Sequence, residues 1–238
     1  MGKVRPLLGL LKPELPIAAG ICVVVGQALA LGASGGEGAM ARAEATWRLW
    51  AHLREALAGD RVAAVEVYWP RIVATPSPEA FAERLAGRTV RAVGRRGKFL
   101  VLHLDEGALI LHLRMTGQLV WDPAGRRGRC GDSEGSEDPH VHVVLRLRSG
   151  ATVCYRDVRK FGRLYLVGDP ESVLGRLGDE PLDPALTPGR FHERLAARRR
   201  RLKDLLLDQT FLAGLGNIYV DEALWEARLS PRRAASTL

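Results

Sequence analysis

KDLLLDQTFLAGLGNIYVDEALWEARLSP, Lys203–Pro231, is the stretch from which the rest of the chain is read. Leu205, Leu206 and Leu207 give it an amphipathic start beside an Asp208-Gln209 pair. The pattern breaks at Leu212-Ala213-Gly214-Leu215-Gly216, and a second helix is predicted from Asn217 to about Arg228. Glycines stop a helix and let the backbone turn sharply. Asn217 is predicted as the N-cap, satisfying free amides with its side chain. A helix entered through glycines leaves N–H groups pointing outward, which suits a phosphate. By spacing alone the same pattern is an ordinary helical hairpin packing on a core.

Upstream, Phe191–Leu207 reads as one helix carrying Arg198, Arg199, Arg200, Arg201 and Lys203. Such a run is either a solvated face or, beside the hairpin, a ridge that tracks phosphates. Residues 169–189, rich in Gly, Pro and Asp, read as a linker. Before it, residues 46–58 have helical spacing and residues 79–85 a short helix capped by Ser77. Runs at 62–68, 89–93, 99–104, 108–113, 140–147, 152–155 and 163–167 read as strands, with a polar loop at 122–138. The predicted fold is α+β: a two-layer β-sandwich with flanking helices over residues 40–168, then a helical domain at 190–238.

Composition fits a globular protein with a basic balance. The chain has 238 residues, 47% of them hydrophobic, and a net charge of +8. That excess is a weak vote for a polyanionic partner. Cys22, Cys130 and Cys154 are scattered, with no C-x-x-C, so neither a zinc ribbon nor a disulfide framework is expected. A reducing cytoplasm is the default compartment.

Three motifs lie in the β-rich part. GRRGKFLVLHL, residues 94–104, sets Lys98 on a turn before a strand; cations there also suit a solvated sheet edge. ILHLRMTGQLV, residues 110–120, holds Met115, which by itself reads as core filler. RDVRKFGRLYLV, residues 156–167, holds Arg159 and Phe161, with Asp157 and Gly162 suited to a tight loop. His140 and His142, two apart on a strand, have no third ligand nearby for a metal.

Together with GLGNIYVDEALW, these motifs and their order resemble the formamidopyrimidine-DNA glycosylase and endonuclease VIII family of bacterial base-excision repair enzymes. The resemblance covers about residues 47 to 238 and makes the hairpin a helix–two-turn–helix. It implies a glycosylase with β-elimination lyase activity at abasic sites, acting on oxidised purines. The implied partner is double-stranded DNA carrying an oxidised base or an abasic site, bound by a monomer. Lys98 would assist proton transfer. Met115, Arg159 and Phe161 would fill the gap left by the extruded base, where a wedge must be slim and apolar. His140, Arg159, Arg199, Lys203 and Asn217 would contact DNA. The family's zinc finger, with its four cysteines, follows the helical part; this sequence stops at Leu238, so no cofactor is expected in the chain and the helical domain is partial.

The start departs from the pattern. The family's nucleophile is an N-terminal proline amine that attacks the sugar C1′, with a glutamate beside it. Pro13-Glu14-Leu15-Pro16 looks like that start, but an internal proline nitrogen is an amide. Gapless counting places the initiator at Met40, the proline place at Ala41, a glutamate place at Arg42 and a later one at Ala45, or at Glu44 with one slip. Weak activity is the expectation, with Ala41 or Lys98 as the amine. Residues 1–39 read as an appended hydrophobic and flexible segment, and the uncharged run at 15–36 as a possible membrane tether. Three readings stay open: a cytoplasmic, nucleoid-associated repair enzyme; a catalytically impaired relative that only binds damaged DNA; and a membrane-tethered protein.

Overall fold

A computed structural model describes residues 53–123, 125 and 138–238. The appended segment 1–39, Ala41, Glu44 and most of the polar loop lie outside the described residues. The described residues form two compact units. One comprises residues 53–95 and 99–175, the other residues 96–98 and 176–238.

The first unit carries two sheets. Its strands are β1 (Val62–Val67), β2 (Val73–Thr75), β3 (Val90–Arg96), β4 (Phe99–Leu104), β5 (Ala108–His112), β6 (Gly117–Asp122), β7 (Val141–Leu147), β8 (Thr152–Asp157) and β9 (Arg163–Val167). One sheet runs β1-β7-β8-β6, the other β2-β9-β5-β4-β3. β1 with β7, β7 with β8, β8 with β6, β9 with β5 and β5 with β4 pair antiparallel, and β2 with β9 runs parallel. Burial follows strand position. Central β5, β7 and β8 are apolar and buried almost throughout, whereas edge strands β1 and β3 leave most of their residues exposed or half-buried. Helix α1 (Pro78–Leu85) packs against β1 and β2 and buries Phe81 and Leu85. Its start behaves as its sequence suggests: Ser77 accepts a hydrogen bond from Ala80 N, and Pro78 needs no partner for a missing N–H. Residues 53–57 are helical.

Two strands were not legible as such. β2 has three residues, and β6 opens on glycine directly after the Met115 turn. Cys154 is fully buried and disulfide-bonded, contrary to the expectation from cysteine spacing.

Short helix α2 (Glu171–Leu174) falls in the expected linker, and residues from 176 onward join the second unit. There α3 (Pro188–Ala196), α4 (Leu202–Leu207) and α5 (Asn217–Glu226) enclose a core that includes Leu186, Phe191, Leu195, Leu202, Leu206 and Val220. The single helix expected over 191–207 is divided. Arg201 is extended and bridges Ala234, Leu202 N donates to Arg233 O at 2.9 Å, and Ala235 N donates to Arg200 O at 2.9 Å. Backbone pairing with a distant segment overrides the local helical preference of the arginine run. Arg198–Arg201 therefore lie on a connection and form no helical ridge.

Candidate functional site

In the first unit, two turns on neighbouring loops carry the exposed residues singled out by sequence. Met115 sits on the β5–β6 turn, closed by Gly117 N donating to Leu113 O at 2.9 Å. Arg159 and Phe161 sit on the β8–β9 turn. Arg159 Nη1 lies 3.4 Å from Met115 Sδ, and its guanidinium carbon is 4.7 Å from the centre of the Phe161 ring. Met115 and Phe161 each leave 48% of their surface in solvent. Large apolar side chains held out by a cation are poor core filler and good wedges. Both turns contain a non-glycine residue in the left-handed region, Arg114 at φ 54° and Lys160 at φ 59°. Such backbone is rare and persists where surrounding bonds impose it.

The imposing group is Asp157, which is fully buried. Its carboxylate accepts from the Thr116 hydroxyl on one turn. It also accepts from Arg159 N at 3.2 Å and Gly162 N at 2.8 Å on the other. Its own N–H donates to His140 O at 2.9 Å. Its carbonyl accepts from His142 Nε2 at 2.8 Å, which fixes the proton on that nitrogen. His142 is buried, and that burial holds its pKa below the usual histidine range despite the bond to Asp157. His140 is half-buried and precedes β7.

Tyr155 lies fully buried beneath both turns. A Cβ built on Gly162 would stand 1.5 Å from its hydroxyl oxygen, and one on Gly117 2.5 Å away. The hydroxyl makes no hydrogen bond of ordinary geometry. Burial, and then the charge of Asp157, push its pKa far above the usual tyrosine value.

The second unit brings Lys98 to the glycine turn. Gly97, at φ 56°, abuts that turn: a Cβ there would stand 3.3 Å from Ala213 Cβ. Glu180 accepts from Arg96 Nη1 at 2.9 Å and from Gly97 N at 2.5 Å. Arg96 Nη2 donates to Leu177 O at 3.1 Å and Gly178 O at 2.6 Å. Lys98 Nζ then lies 3.6 Å from where a Gly216 side chain would begin. Gln209 fixes the other side of the turn. Its Nε2 donates to Leu207 O at 2.9 Å and Leu215 O at 3.0 Å, and its Oε1 accepts from Gly214 N at 3.0 Å.

Gly216, in extended backbone, is the N-cap of α5, and Asn217 is its first residue, not the predicted cap. Asn217 is exposed there, with the side chain available for a ligand. Lys203 reaches the same helix, pairing with Asp221 at 2.7 Å. Asp221 stands four residues after Asn217, hence on the same face. Arg199 is exposed on the connection before α4, and Arg200 pairs with Asp208 at 2.5 Å. That bond acts on Asp208 together with one from Thr210, the larger influence, to lower its pKa.

Asp157, Tyr155, Glu180 and Asp221 were not singled out as site residues by sequence. An aspartate two residues before a turn is a local signal for the first of these; the others are set by contacts distant in sequence. Among the described residues no cluster of three His, Cys, Asp or Glu side chains could hold a metal. No described helix is long and apolar enough to cross a membrane.

Comparison with known proteins adds to this geometry. Residues 47–164 match the family described as formamidopyrimidine-DNA glycosylase N-terminal domain, and residues 177–238 the formamidopyrimidine-DNA glycosylase H2TH domain. A formamidopyrimidine-DNA glycosylase of Roseiflexus sp. is 48% identical over 186 residues, which is 76% of this chain and 65% of that protein. One from Bacillus subtilis is 42% identical over 185 residues, 76% of this chain and 64% of that protein. The chain thus spans about two thirds of the length of these relatives, 65% and 64%. Among solved structures, the complex of Lactococcus lactis Fpg with DNA containing an abasic site superposes with TM-score 0.68 at 32% identity, covering 80% of this chain and 68% of that one. The complex of the same protein with FAPY-dG DNA gives 0.69 at 32% identity, covering 80% and 69%.

Proposed function

Because the chain belongs to the formamidopyrimidine-DNA glycosylase family, we propose that it is a DNA base-excision repair protein. It binds duplex DNA at an oxidised purine or an abasic site and acts there as a glycosylase with AP-lyase activity. The observation that supports this best is the exposed trio Met115, Arg159 and Phe161, joined by contacts of 3.4 and 4.7 Å. Filling the gap left by an extruded base needs an apolar wedge, an aromatic face and a cation together. Lys98, Lys203, Asn217, Arg199 and His140 are assigned to the DNA backbone, with Lys98 also moving a proton near the reacting sugar.

The chemistry needs an amine. Its lone pair bonds to C1′ as the C1′–base bond breaks, and the base leaves with a proton. The nitrogen then loses its proton and its lone pair expels O4′, which takes up a proton as the sugar ring opens; the iminium so formed acidifies C2′, whose proton is lost as the 3′ phosphate departs. Ala41, as a processed N-terminus, and Lys98 are the two candidate amines. The reading carries with it a monomer in the cytoplasm, associated with the nucleoid.

Borohydride trapping on duplexes containing 8-oxoguanine or an abasic site tests this. A slow covalent adduct is expected, and peptide mapping names the amine. Tight abasic binding with no adduct would reduce the protein to a binder of damaged DNA. Equal affinity for damaged and intact duplex would defeat the proposal.

A further inference from the structure

We infer that Asp157 is a positioning residue that sets Met115, Arg159 and Phe161 as one unit for entry into a damaged duplex; this rests on the function proposed above. The bonds that meet at Asp157 come from residues flanking the wedge. Thr116 follows Met115, and Arg159 and Gly162 bracket Phe161. All three donate to the one buried carboxylate, which uses both oxygens. The backbone of Asp157 also holds His140 O at 2.9 Å and the His142 ring at 2.8 Å. One residue on β8 therefore fixes both turns and the strand entrance beside them.

Tyr155, two residues earlier and on the same face of β8, completes the support. Its hydroxyl occupies the space that side chains at Gly117 and Gly162 would need, 2.5 and 1.5 Å away. The turns can close only as glycine turns over that ring, and the carboxylate then sets their separation. Loss of the carboxylate takes the acceptor from the buried Gly162 amide and from the Thr116 hydroxyl, and leaves Arg159 N with only its 3.2 Å bond to that hydroxyl. The contact between Arg159 and Met115, which spans the two turns, is then no longer held.

A brace for stability alone would weaken folding and leave DNA discrimination intact. Four chains decide the matter: wild type, Asp157→Ala, Asp157→Asn and Thr116→Val. For each, affinity is measured for a duplex with a tetrahydrofuran abasic analogue and for the undamaged duplex. Fluorescence of 2-aminopurine opposite the gap and the unfolding midpoint are read alongside.

For Asp157→Ala the abasic-over-undamaged ratio should fall about tenfold, while undamaged binding, which rests on phosphate contacts, stays within about twofold. Thr116→Val should show a smaller loss. Asp157→Asn, which keeps one acceptor oxygen, should recover part of it. The 2-aminopurine change should shrink in the same order. Folded Asp157→Asn and Thr116→Val proteins that both keep the wild-type ratio and fluorescence would overturn the inference. If Asp157→Ala does not fold, Thr116→Val decides. A wild-type chain with no preference for the gapped duplex overturns the proposed function, and this inference with it.

Discussion

Arg159 and Met115 touch across two turns that are 44 residues apart in sequence, with Nη1 3.4 Å from Sδ. The cation also stacks on Phe161, so the three side chains form one exposed cluster. Residues in mutual contact do not act additively. Phe161→Ala should cost about 1–3 kcal/mol of the preference for a gapped duplex, the range for base–aromatic stacking. Met115→Ala with Arg159→Ala should cost less than the sum of the two, with a coupling of about 0.5 kcal/mol or more. Competition binding on gapped and intact duplexes reads both. Strict additivity would show that the contact is inert.

Gly162→Ala should destabilise the chain by about 1–3 kcal/mol, as overpacking does, because the new methyl meets the Tyr155 hydroxyl. Adding Tyr155→Phe removes the oxygen at 1.5 Å and leaves ring carbon at 2.7 Å, so part of the loss should return. Gly117→Ala meets backbone, Leu113 O at 2.4 Å, as well as the hydroxyl. The same Phe should do little for it. Denaturant melts of the four variants separate these cases.

Lys203 is already paired with Asp221 at 2.7 Å, so a phosphate must take it from a carboxylate. Lys203→Ala should weaken damaged and intact duplexes alike and reduce the slope of log affinity against log salt by about 0.9. Asp221→Asn should tighten both by a few-fold. The pair is partly exposed and contributes little to folding. Unchanged salt slopes in Lys203→Ala would remove Lys203 from the interface.

Glu180→Gln should slow adduct formation more than it weakens binding. The charge-assisted bonds to Arg96 and Gly97 hold the turn that presents Lys98. Such bonds contribute about 1.5–3 kcal/mol, and the lower end applies here because Arg96 is a third exposed. Single-turnover trapping beside a binding isotherm makes the distinction. Equal losses in both would point to general unfolding.

Stability should fall as pH drops below about 6.5, the ordinary histidine value. Burial lowers the folded pKa of His142. Between the folded and unfolded values the unfolded chain therefore binds more protons, and stability rises with pH. The contribution is fully present above the unfolded value and is lost as pH falls towards the folded one. His142→Gln should flatten this part of the profile of unfolding free energy against pH. An unaltered slope in that variant would place the acid sensitivity elsewhere.

The sequence disclosed the sandwich through its central strands, whose apolar runs reflect burial on both faces. It singled out Met115, Arg159 and Phe161 because they lie in short motifs that can be recognised whole, and the structure brings the three together. Its failures share one cause. Helix 191–207 was read from propensity, and residues 200–202 bond instead to a segment some thirty residues on. Asn217 has the right chemistry for a cap, but the neighbouring glycine adopts the extended backbone that a cap needs. Glu180 looked like linker, and its partners at Arg96 and Gly97 are 84 and 83 residues away. Asp157 looked like part of a turn, and its bond to Thr116 spans 41 residues. Local pattern carries no trace of such distant partners.

The left-handed backbone at Arg114 and Lys160 limits what mutation can do beside Met115, Arg159 and Phe161. Among non-glycine residues, asparagine and aspartate enter that region most readily, and β-branched residues scarcely at all. A library randomised at both positions and selected only for folded protein should therefore retain Gly, Asn and Asp and shed Val, Ile and Thr, whatever their charge. Selection for repair would act on a set that the backbone had already filtered. The drift of these two sites should then follow the geometry of the main chain before it follows any need of the DNA.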